Sequence, residues 1–250
     1  MSGMVDGKVV VVTGAASGLG QAAAVAFARE GASLALADIN TAGLVETADR
    51  IGGALTIEAD VTEAAEVDAM VAAVVDRYGR LDCAFNNAGI EGKAGTTTIE
   101  YEEDDWDRVV RIDLKGVWLC MKYEIMQMLR QGGGSIVNTA SIAGLVGLTG
   151  SSPYVAAKHG VVGLTKTAAL EYAQLGVRVN AVCPGVFDTP LLDRILGNTP
   201  ERKEMYLDAQ PIGRLGEPEE LAEAVVWLCS DAASFVTGQS MPVDGGYVAQ

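Results

Sequence analysis

The sequence of 250 residues predicts a single α/β domain built on a doubly wound parallel sheet of about seven strands flanked by helices. Short β-branched runs alternate with longer helical stretches, which is the pattern of repeated strand–helix–strand units. Most of these apolar runs lack polar alternation, as expected when helices cover both faces of a sheet. The length suits one domain over residues 1–250, without an internal repeat or linker.

The predicted strands are short and apolar, and they are Lys8–Thr13, Ser33–Asp38, Ala54–Glu58, Cys83–Asn86, Ser135–Thr139, Arg178–Val182 and Ser240–Pro242. The predicted helices are Leu19–Glu30, Ala42–Ile51, Glu63–Tyr78, Tyr101–Arg130, Pro153–Gln174 and Pro218–Leu228. Gly116 predicts a bend in the longest of them, which begins in the acidic cluster Glu100–Asp107. Residues 188–211 lack a clear strand and predict a lid on the substrate side, because ligands bind at the carboxyl ends of parallel strands.

The charge balance of 18 basic and 33 acidic side chains gives a net charge of −15. Such a surface repels nucleic acids and anionic membranes, although a helix N-terminus can still bind a nucleotide cofactor. No signal-peptide pattern and no apolar run of about eighteen residues is present, so we expect a cytoplasmic protein. The four cysteines are widely spaced and His159 is the only histidine, which predicts buried free thiols and no metal site.

The first strand leads into a glycine-rich loop, Thr13–Gly20, and then into an alanine-rich helix. Glycines allow a tight turn and let a pyrophosphate approach the exposed N–H groups of the helix. The candidate cofactor-binding residues in this loop are Gly14, Ser17, Gly18, Leu19 and Gly20. Their spacing matches the standard dinucleotide fingerprint only loosely, so a simple tight turn remains the alternative.

Asp38 is the last residue of the second strand. In dinucleotide-binding folds, an acid about 20 residues after the glycine loop binds the adenosine ribose. A carboxylate accepts hydrogen bonds from the ribose hydroxyls of NAD and repels the 2′-phosphate of NADP. No lysine or arginine follows immediately. The sequence therefore predicts NAD as the cofactor, with a solvated strand-end acid as the alternative.

Two further strand ends carry candidate cofactor contacts. Asp60 and Val61 follow the third strand and suit contacts with adenine. Asn87, Ala88 and Gly89 follow Asn86 at the end of the fourth strand and suit contacts near the nicotinamide half. Either group alone would also be compatible with ordinary turn chemistry.

Tyr154 and Lys158 are one helical turn apart and therefore share a helix face. We expect the lysine ammonium and the cationic nicotinamide of NAD together to stabilise tyrosinate and to lower the tyrosine pKa from about 10 towards neutral pH. Ser141, just after the fifth strand, can hydrogen-bond the substrate oxygen as charge develops there. A packed helix surface is the alternative for the pair in isolation, but the serine and the upstream loop favour a catalytic set.

Taken together, these motifs resemble the classical short-chain dehydrogenase/reductase family over essentially the full chain, and its glucose- and cyclic-alcohol-dehydrogenase-like members in particular. The matching pieces are Thr13–Gly20, Asp60, Asn86–Gly89, Ser141, Tyr154–Lys158, and Pro184–Gly185 with Thr189. The resemblance implies a Rossmann-like sheet, a Ser–Tyr–Lys catalytic set and a homotetramer formed through the helix that carries the tyrosine and its neighbour. It also implies that Tyr154, Lys158 and the segment Pro184, Gly185, Val186 and Thr189 contact the cofactor, with Val186 and Thr189 at the nicotinamide carboxamide.

Asp113 departs from the family pattern, which has a catalytic asparagine in a segment like Asn-Leu-x-Gly. In the family, the main-chain carbonyl of that asparagine holds a water that relays protons to the lysine. A main-chain role survives the change to aspartate, whereas an ionised carboxylate cannot donate a hydrogen bond. We expect the relay to persist with a shifted pH optimum, since a nearby carboxylate keeps Lys158 charged and opposes tyrosinate.

The leading functional prediction is reversible, NAD-dependent oxidation of a secondary alcohol to a ketone. Residues expected around the substrate follow the strand ends and are mostly apolar, which favours a small-to-medium and largely apolar alcohol or ketone, cyclic molecules included. These residues are Glu91 to Ala94, Ile142 to Ser152, Phe187, and Leu191 to Met205. Lys93 and Arg194 are the candidate cations for a substrate carboxylate. The alternatives are an acyl-carrier-linked 3-ketoacyl reductase, which Asp38 and the acidic charge disfavour, and a non-catalytic NAD-binding sensor or scaffold.

Overall fold

The apolar runs form a parallel sheet in the computed structural model, which describes residues 3–196, 204–207 and 209–250. Within these residues the strands β1 to β7 are Val9–Thr13, Ser33–Asp38, Leu55–Glu58, Cys83–Asn86, Gly134–Thr139, Val177–Pro184 and Ser240–Val243. Their order in the sheet is β3-β2-β1-β4-β5-β6-β7, and every neighbouring pair is parallel. The predicted α/β class and doubly wound sheet are confirmed.

Helices cover both faces of the sheet. They are α1 Gly18–Arg29, α2 Thr41–Arg50, α3 Ala64–Tyr78, α4 Glu103–Val110, α5 Val117–Gln131, α6 Ser152–Tyr172, α7 Pro190–Leu196 and α8 Pro218–Cys229. One buried core lies between the sheet and α1, α2 and α8, and a second lies between the sheet and α3, α5 and α6. Strand β1 shows why no polar alternation appears in the sequence, since Val10 and Val12 face the first core while Val9 and Val11 face the second.

The prediction of one continuous helix from Tyr101 to Arg130 is wrong. Helix α4 begins at Glu103, with acids in its first turn, and a π-helical segment from Arg111 to Gly116 separates it from α5. At Gly116 the helix lies against Val61, and a Cβ on the glycine would stand 2.9 Å from the valine Cγ2. The irregular segment therefore ends where the sequence predicts a bend, and it places Asp113 in its middle.

The predicted lid at residues 188–211 contains α7 and a helical turn at 204–207. Residues 197–203 and 208 of that segment lie outside the described residues.

All four cysteines are buried free thiols, as predicted. In the described part of the chain, no helix combines the length and apolarity needed to cross a membrane.

Candidate active site

The cleft lies at the carboxyl ends of the strands, where β1 and β4 are neighbours and the sheet order reverses direction. It consists of two adjoining cavities of about 420 Å³ and 410 Å³. The first, here called the coenzyme cavity, lies over β1, β2 and β3. The second, called the substrate cavity, lies over β4, β5 and β6. Leu19, Asn87, Gly89 and Thr189 line both cavities, so the two form one continuous cleft.

Glycine positions shape the floor of the coenzyme cavity. Gly14 has a φ of +66°, and a Cβ there would meet the Asn87 side chain at 2.8 Å. Gly20 does not line the cavity, but its Cβ would stand only 2.1 Å from the Gly14 carbonyl oxygen. Helix α1 follows Ser17, whose side chain does not cap the helix. The first N–H groups of α1 are therefore available to an anion in the cavity.

Asp38 lies on the wall of the coenzyme cavity, as predicted. Its carboxylate accepts hydrogen bonds from the N–H of Ala16 at 3.1 Å and from the N–H of Asn40 at 2.9 Å. These two bonds fix the carboxylate at the end of β2 and leave it open to the cavity. Asp60 and Val61 line the same cavity, and the Asp60 carboxylate accepts the N–H of Thr62 at 2.8 Å.

The segment after β4 is tied to the glycine loop by Thr13. The Thr13 hydroxyl accepts the N–H groups of Asn87 at 3.0 Å and Ala88 at 3.2 Å. The Asn87 amide donates in return to the carbonyls of Thr13 and Gly14, each at 3.2 Å. Asn87, Ala88 and Gly89 therefore form one hydrogen-bonded wall with the loop, at the boundary between the two cavities.

Several lining residues of the coenzyme cavity lie outside the sequence motifs. Arg108 and Arg194 line it and supply positive charge, while Ile39 and Asn40 extend the wall beyond Asp38. Arg194 was predicted only as a substrate-binding candidate, and Lys93 lines neither cavity and pairs with Asp105 instead. The position of Ile39 and Asn40 directly after β2 was the signal that could have identified them.

Lys158 occupies the centre of the substrate cavity floor and is 2% exposed. Its ammonium donates to the Thr139 carbonyl at 3.0 Å and lies 3.2 Å from Asp113 Oδ2. Gly89 makes this approach possible, because a Cβ there would stand 3.0 Å from Asp113 Oδ2 and 3.5 Å from the lysine nitrogen. The structure therefore brings the end of β4, the end of β5, the π-helical segment and α6 together around one ammonium group.

Asp113 connects the lysine to the loop after β4. Its side chain is fully buried, and Oδ1 accepts the Ile90 N–H at 2.9 Å while Oδ2 faces Lys158. Burial raises the pKa of Asp113, whereas the charge of Lys158 lowers it. Oδ2 has no well-aligned hydrogen bond among the described residues. The carboxyl in place of the family asparagine is thus a direct partner of the catalytic lysine candidate.

Tyr154 and Ser141 line the substrate cavity beside Lys158. The Ser141 hydroxyl accepts the Ala143 N–H at 3.1 Å, which orients it at the end of β5. The protein groups around Tyr154 raise its pKa, whereas the predicted lowering also includes the charge of a nicotinamide. Burial raises the pKa well above the usual range, and the charges of Glu91 and Asp113 raise it further, while Ser141 lowers it. The ammonium of Lys158, 5.4 Å from the tyrosine ring centre, faces Asp113.

Glu91 begins the segment after β4 that the sequence analysis expects around the substrate. It lines the substrate cavity, and burial together with the charge of Asp113 raises its pKa.

The end of β6 and the residues just beyond it line the same cavity with Pro184, Gly185, Val186 and Thr189. Most of the remaining wall is apolar, including Ile142, Leu148, Phe187, Leu191, Leu192 and Met205. The cavity thus combines one polar end with a largely apolar body.

Comparison with known proteins places the chain in a family. A family model described as enoyl-(acyl carrier protein) reductase matches residues 14–248. Cyclohexanol dehydrogenase of Acinetobacter sp. is 46% identical over 254 residues, covering 100% of this chain and 98% of that protein. The 3-oxoacyl-[acyl-carrier-protein] reductase of Thermotoga maritima is 42% identical, covering 97% and 98%. The crystal structure of a levodione reductase matches with a TM-score of 0.93 and 43% identity, covering 97% and 98%. The chain therefore belongs to the short-chain dehydrogenase/reductase family and is an alcohol/ketone oxidoreductase.

Proposed function

We propose that this protein catalyses the reversible, NAD-dependent oxidation of a secondary alcohol to a ketone, with Ser141, Tyr154 and Lys158 as its catalytic residues. The observation that carries the proposal is the buried ammonium of Lys158, held by Thr139 and Asp113 beside Tyr154 and Ser141. This cluster lies in an apolar cavity that continues into the coenzyme cavity. A proton-handling group therefore adjoins the place where a dinucleotide fits.

The residues of the coenzyme cavity fit a dinucleotide. The uncapped start of α1 at Ser17 suits the pyrophosphate, and the missing side chains at Gly14 and Gly18 leave space beside it. Asp38, fixed by two backbone N–H groups, suits the hydroxyls of the adenosine ribose and disfavours a 2′-phosphate. Asp60 and Val61 would flank the adenine, while Val186 and Thr189 would meet the nicotinamide. These features support NAD over NADP.

The chain's own residues hold the alcohol and handle its proton. Ser141 donates its O–H to the substrate oxygen, while one of its two lone pairs accepts the Ala143 N–H and orients the hydroxyl. Tyr154 exchanges the hydroxyl proton with the same oxygen, and Lys158 stabilises the tyrosinate that results. NAD, when bound, supplies the acceptor for the hydride. The cavity wall around Leu192 and Phe187 excludes water from the reacting carbon.

The raised pKa of Tyr154 favours ketone reduction over alcohol oxidation at neutral pH. A protonated phenol is ready to donate to the oxygen of a ketone, whereas alcohol oxidation needs the phenol to lose its proton first. We therefore expect alcohol oxidation to accelerate as pH rises above neutrality, whereas ketone reduction should change little below neutrality because the phenol is already protonated. The positive charge of a bound oxidised cofactor would lower the tyrosine pKa and so reduce the disadvantage of alcohol oxidation at neutral pH.

The substrate is proposed to be a cyclic alcohol or ketone with a largely apolar body. The apolar wall of the cavity and the likeness to a cyclohexanol dehydrogenase support this choice. The likeness to a 3-oxoacyl-[acyl-carrier-protein] reductase keeps an acyl-carrier-linked ketone as the second candidate. The net charge of −15 weighs against it, since an acidic carrier would be repelled. A non-catalytic NAD sensor would have no need of the buried lysine cluster.

The proposal extends to assembly and to the lid. Trp118, Met126 and Leu129 on α5 and Leu170 on α6 are exposed apolar side chains, which supports a homotetramer formed through these two helices. Light scattering on the purified protein tests it, and a monomer would contradict it.

Residues 188–211 are proposed to close over the substrate, because Leu191, Leu192 and Met205 line the cavity. The cytoplasmic location stays a prediction.

The function is tested by following NADH absorbance with the purified protein and a panel of secondary alcohols, cyclohexanol among them. NADP in place of NAD is the parallel control. We expect turnover of cyclic secondary alcohols with NAD and at least about tenfold lower kcat/KM with NADP. Turnover only of ketones linked to an acyl carrier, and only with NADPH, would favour the second candidate. NAD binding without turnover of any substrate would favour the sensor.

A further inference from the structure

Glu91 has no task in the proposed reaction. Its half-buried side chain lines the substrate cavity together with Ser141 and Tyr154. Among the described residues, no hydrogen bond or ion pair engages its carboxyl group. A carboxyl group that is left open in a cavity is free to accept a hydrogen bond from a ligand.

The backbone around Glu91 is fixed on both sides. Before it, the Ile90 N–H donates to Asp113 Oδ1 at 2.9 Å. After it, the Lys93 N–H donates to the Tyr101 hydroxyl at 2.7 Å, and Gly92 turns with a φ of +76° against that same tyrosine. Glu91 is therefore presented to the cavity by an anchored loop, and an anchored polar group discriminates between ligands better than a mobile one.

The charges around Glu91 restrict what it can bind. Lys158 is the single cation among the described residues that line the substrate cavity, and Asp113 already pairs with it. The cavity therefore holds two carboxyl groups against one ammonium. A substrate carboxylate would meet negative charge without a counter-ion, whereas a hydroxyl group can donate a hydrogen bond to Glu91.

Resting on the proposed function, we propose that Glu91 determines substrate specificity by accepting a hydrogen bond from a second hydroxyl group of the substrate. The enzyme then prefers cyclic diols to the corresponding simple alcohols and discriminates against ring substrates that carry a carboxylate. The first hydroxyl group lies at Ser141 and Tyr154, and the second lies on the side of the cavity formed by the loop after β4.

The test measures kcat/KM with NAD for cyclohexanol, for cyclohexane-1,2-, 1,3- and 1,4-diols, and for 4-hydroxycyclohexanecarboxylate. The variants are Glu91→Leu, which removes the acceptor, and Glu91→Gln, which keeps an acceptor oxygen and removes the charge. Glu102→Gln is the matched control, because Glu102 is an exposed acid that lines neither cavity.

For at least one diol, the ratio of its kcat/KM to that of cyclohexanol is expected to fall about tenfold or more in Glu91→Leu. The same ratio should change less than about threefold in Glu91→Gln, while the kcat/KM of the carboxylated substrate rises about tenfold. Glu102→Gln should leave every ratio at the wild-type value.

Unchanged ratios in both Glu91 variants, with cyclohexanol still oxidised by the wild type, would overturn the specificity role alone. A shift of the pH–rate profile in Glu91→Gln without a change in the ratios would also overturn it, and would assign Glu91 to proton transfer. Absence of turnover with every alcohol would overturn the proposed function, and this inference with it.

Discussion

The two walls of the cleft are built from different chemical groups. The coenzyme wall over β1, β2 and β3 consists mainly of backbone, with glycines that admit no side chain and N–H groups at the start of α1. The substrate wall over β4, β5 and β6 contains buried ionisable side chains, namely Lys158, Asp113 and Tyr154, with Glu91 beside them. Recognition on the first wall therefore rests mainly on shape, with Asp38 as the acid that selects the cofactor, and recognition on the second rests on buried charge.

This difference predicts two kinds of sensitivity. A change of shape on the coenzyme wall should abolish cofactor binding with little effect on pH dependence. A change of charge on the substrate wall should alter pH dependence while leaving cofactor binding close to normal. The variants below test the distinction in order of expected effect.

The largest effect is expected for Gly20→Ala. The added methyl group would stand 2.1 Å from the Gly14 carbonyl and 2.7 Å from the Asn87 amide, so the loop must move. We expect NAD affinity to fall about 100-fold, in line with the 1–3 kcal/mol typical of overpacking. Isothermal titration calorimetry with NAD measures it. Gly163→Ala is the control, because a Cβ at that helical glycine meets nothing within 4 Å. Wild-type affinity in Gly20→Ala would show that the loop does not shape the site.

The next effect concerns the choice between NAD and NADP. Asp38→Asn removes the negative charge and keeps one acceptor oxygen, so only one of the N–H groups of Ala16 and Asn40 keeps its acceptor. The ratio of kcat/KM with NADP to that with NAD should rise about tenfold, since a 2′-phosphate is no longer repelled. Initial rates with both cofactors give the ratio, and Asp49→Asn on the exposed face of α2 is the control. An unchanged ratio would remove Asp38 from cofactor selection.

Asp113→Asn is expected to shift the pH–rate profile of alcohol oxidation. The Asp113 charge raises the pKa of Tyr154, so its removal lowers that pKa and makes the tyrosinate available at lower pH. The rising limb of kcat/KM against pH should move towards lower pH by about one unit, while NAD affinity stays within about twofold. The profile is compared with that of Asp104→Asn, an exposed acid in α4. If the Asp113→Asn profile overlays that of the wild type, the side chain is a bystander.

The smallest effect concerns stability beneath the substrate wall. Glu124 is fully buried and accepts from the Asn86 amide, and burial raises its pKa from 4.5 to about 8. The folded state therefore retains a proton that the unfolded state loses above pH 4.5, so this stabilisation is lost as pH rises through about 8.

Thermal unfolding followed by circular dichroism between pH 5 and pH 8 tests this linkage. The Tm of the wild type should fall by about 5 °C more over this range than the Tm of Glu124→Gln, which cannot titrate. Parallel Tm curves for the two proteins would show that Glu124 does not control the pH dependence of stability.

Strand positions and much of the coenzyme wall were predictable from sequence because their determinants are local. β2 and β4 match the predicted Ser33–Asp38 and Cys83–Asn86 to the residue, and Asp38 and Asn87 stand out as polar residues at strand ends. The geometry around Lys158 was not predictable, since Thr139, Asp113 and the lysine come from separate elements. The raising of the Tyr154 pKa was not predictable for the same reason, because burial and the acids around it depend on tertiary packing.

The same limit explains Glu91. Its position after the end of β4 predicts that it lies near the substrate, but nothing in the sequence singles out its carboxyl group among 33 acids. Only the anchored loop and the shared cavity identify it as a neighbour of Tyr154.

Tyr154→Phe tests the central claim most directly, with kcat and the dissociation constant of NAD measured on the same preparation. Phenylalanine keeps the ring and removes the group that exchanges the proton, so kcat for cyclohexanol should fall at least about 1,000-fold. The NAD dissociation constant should stay within about threefold of the wild type, because the ring still packs beside the cavity. Oxidation of the alcohol at a rate near that of the wild type would contradict the Ser–Tyr–Lys assignment.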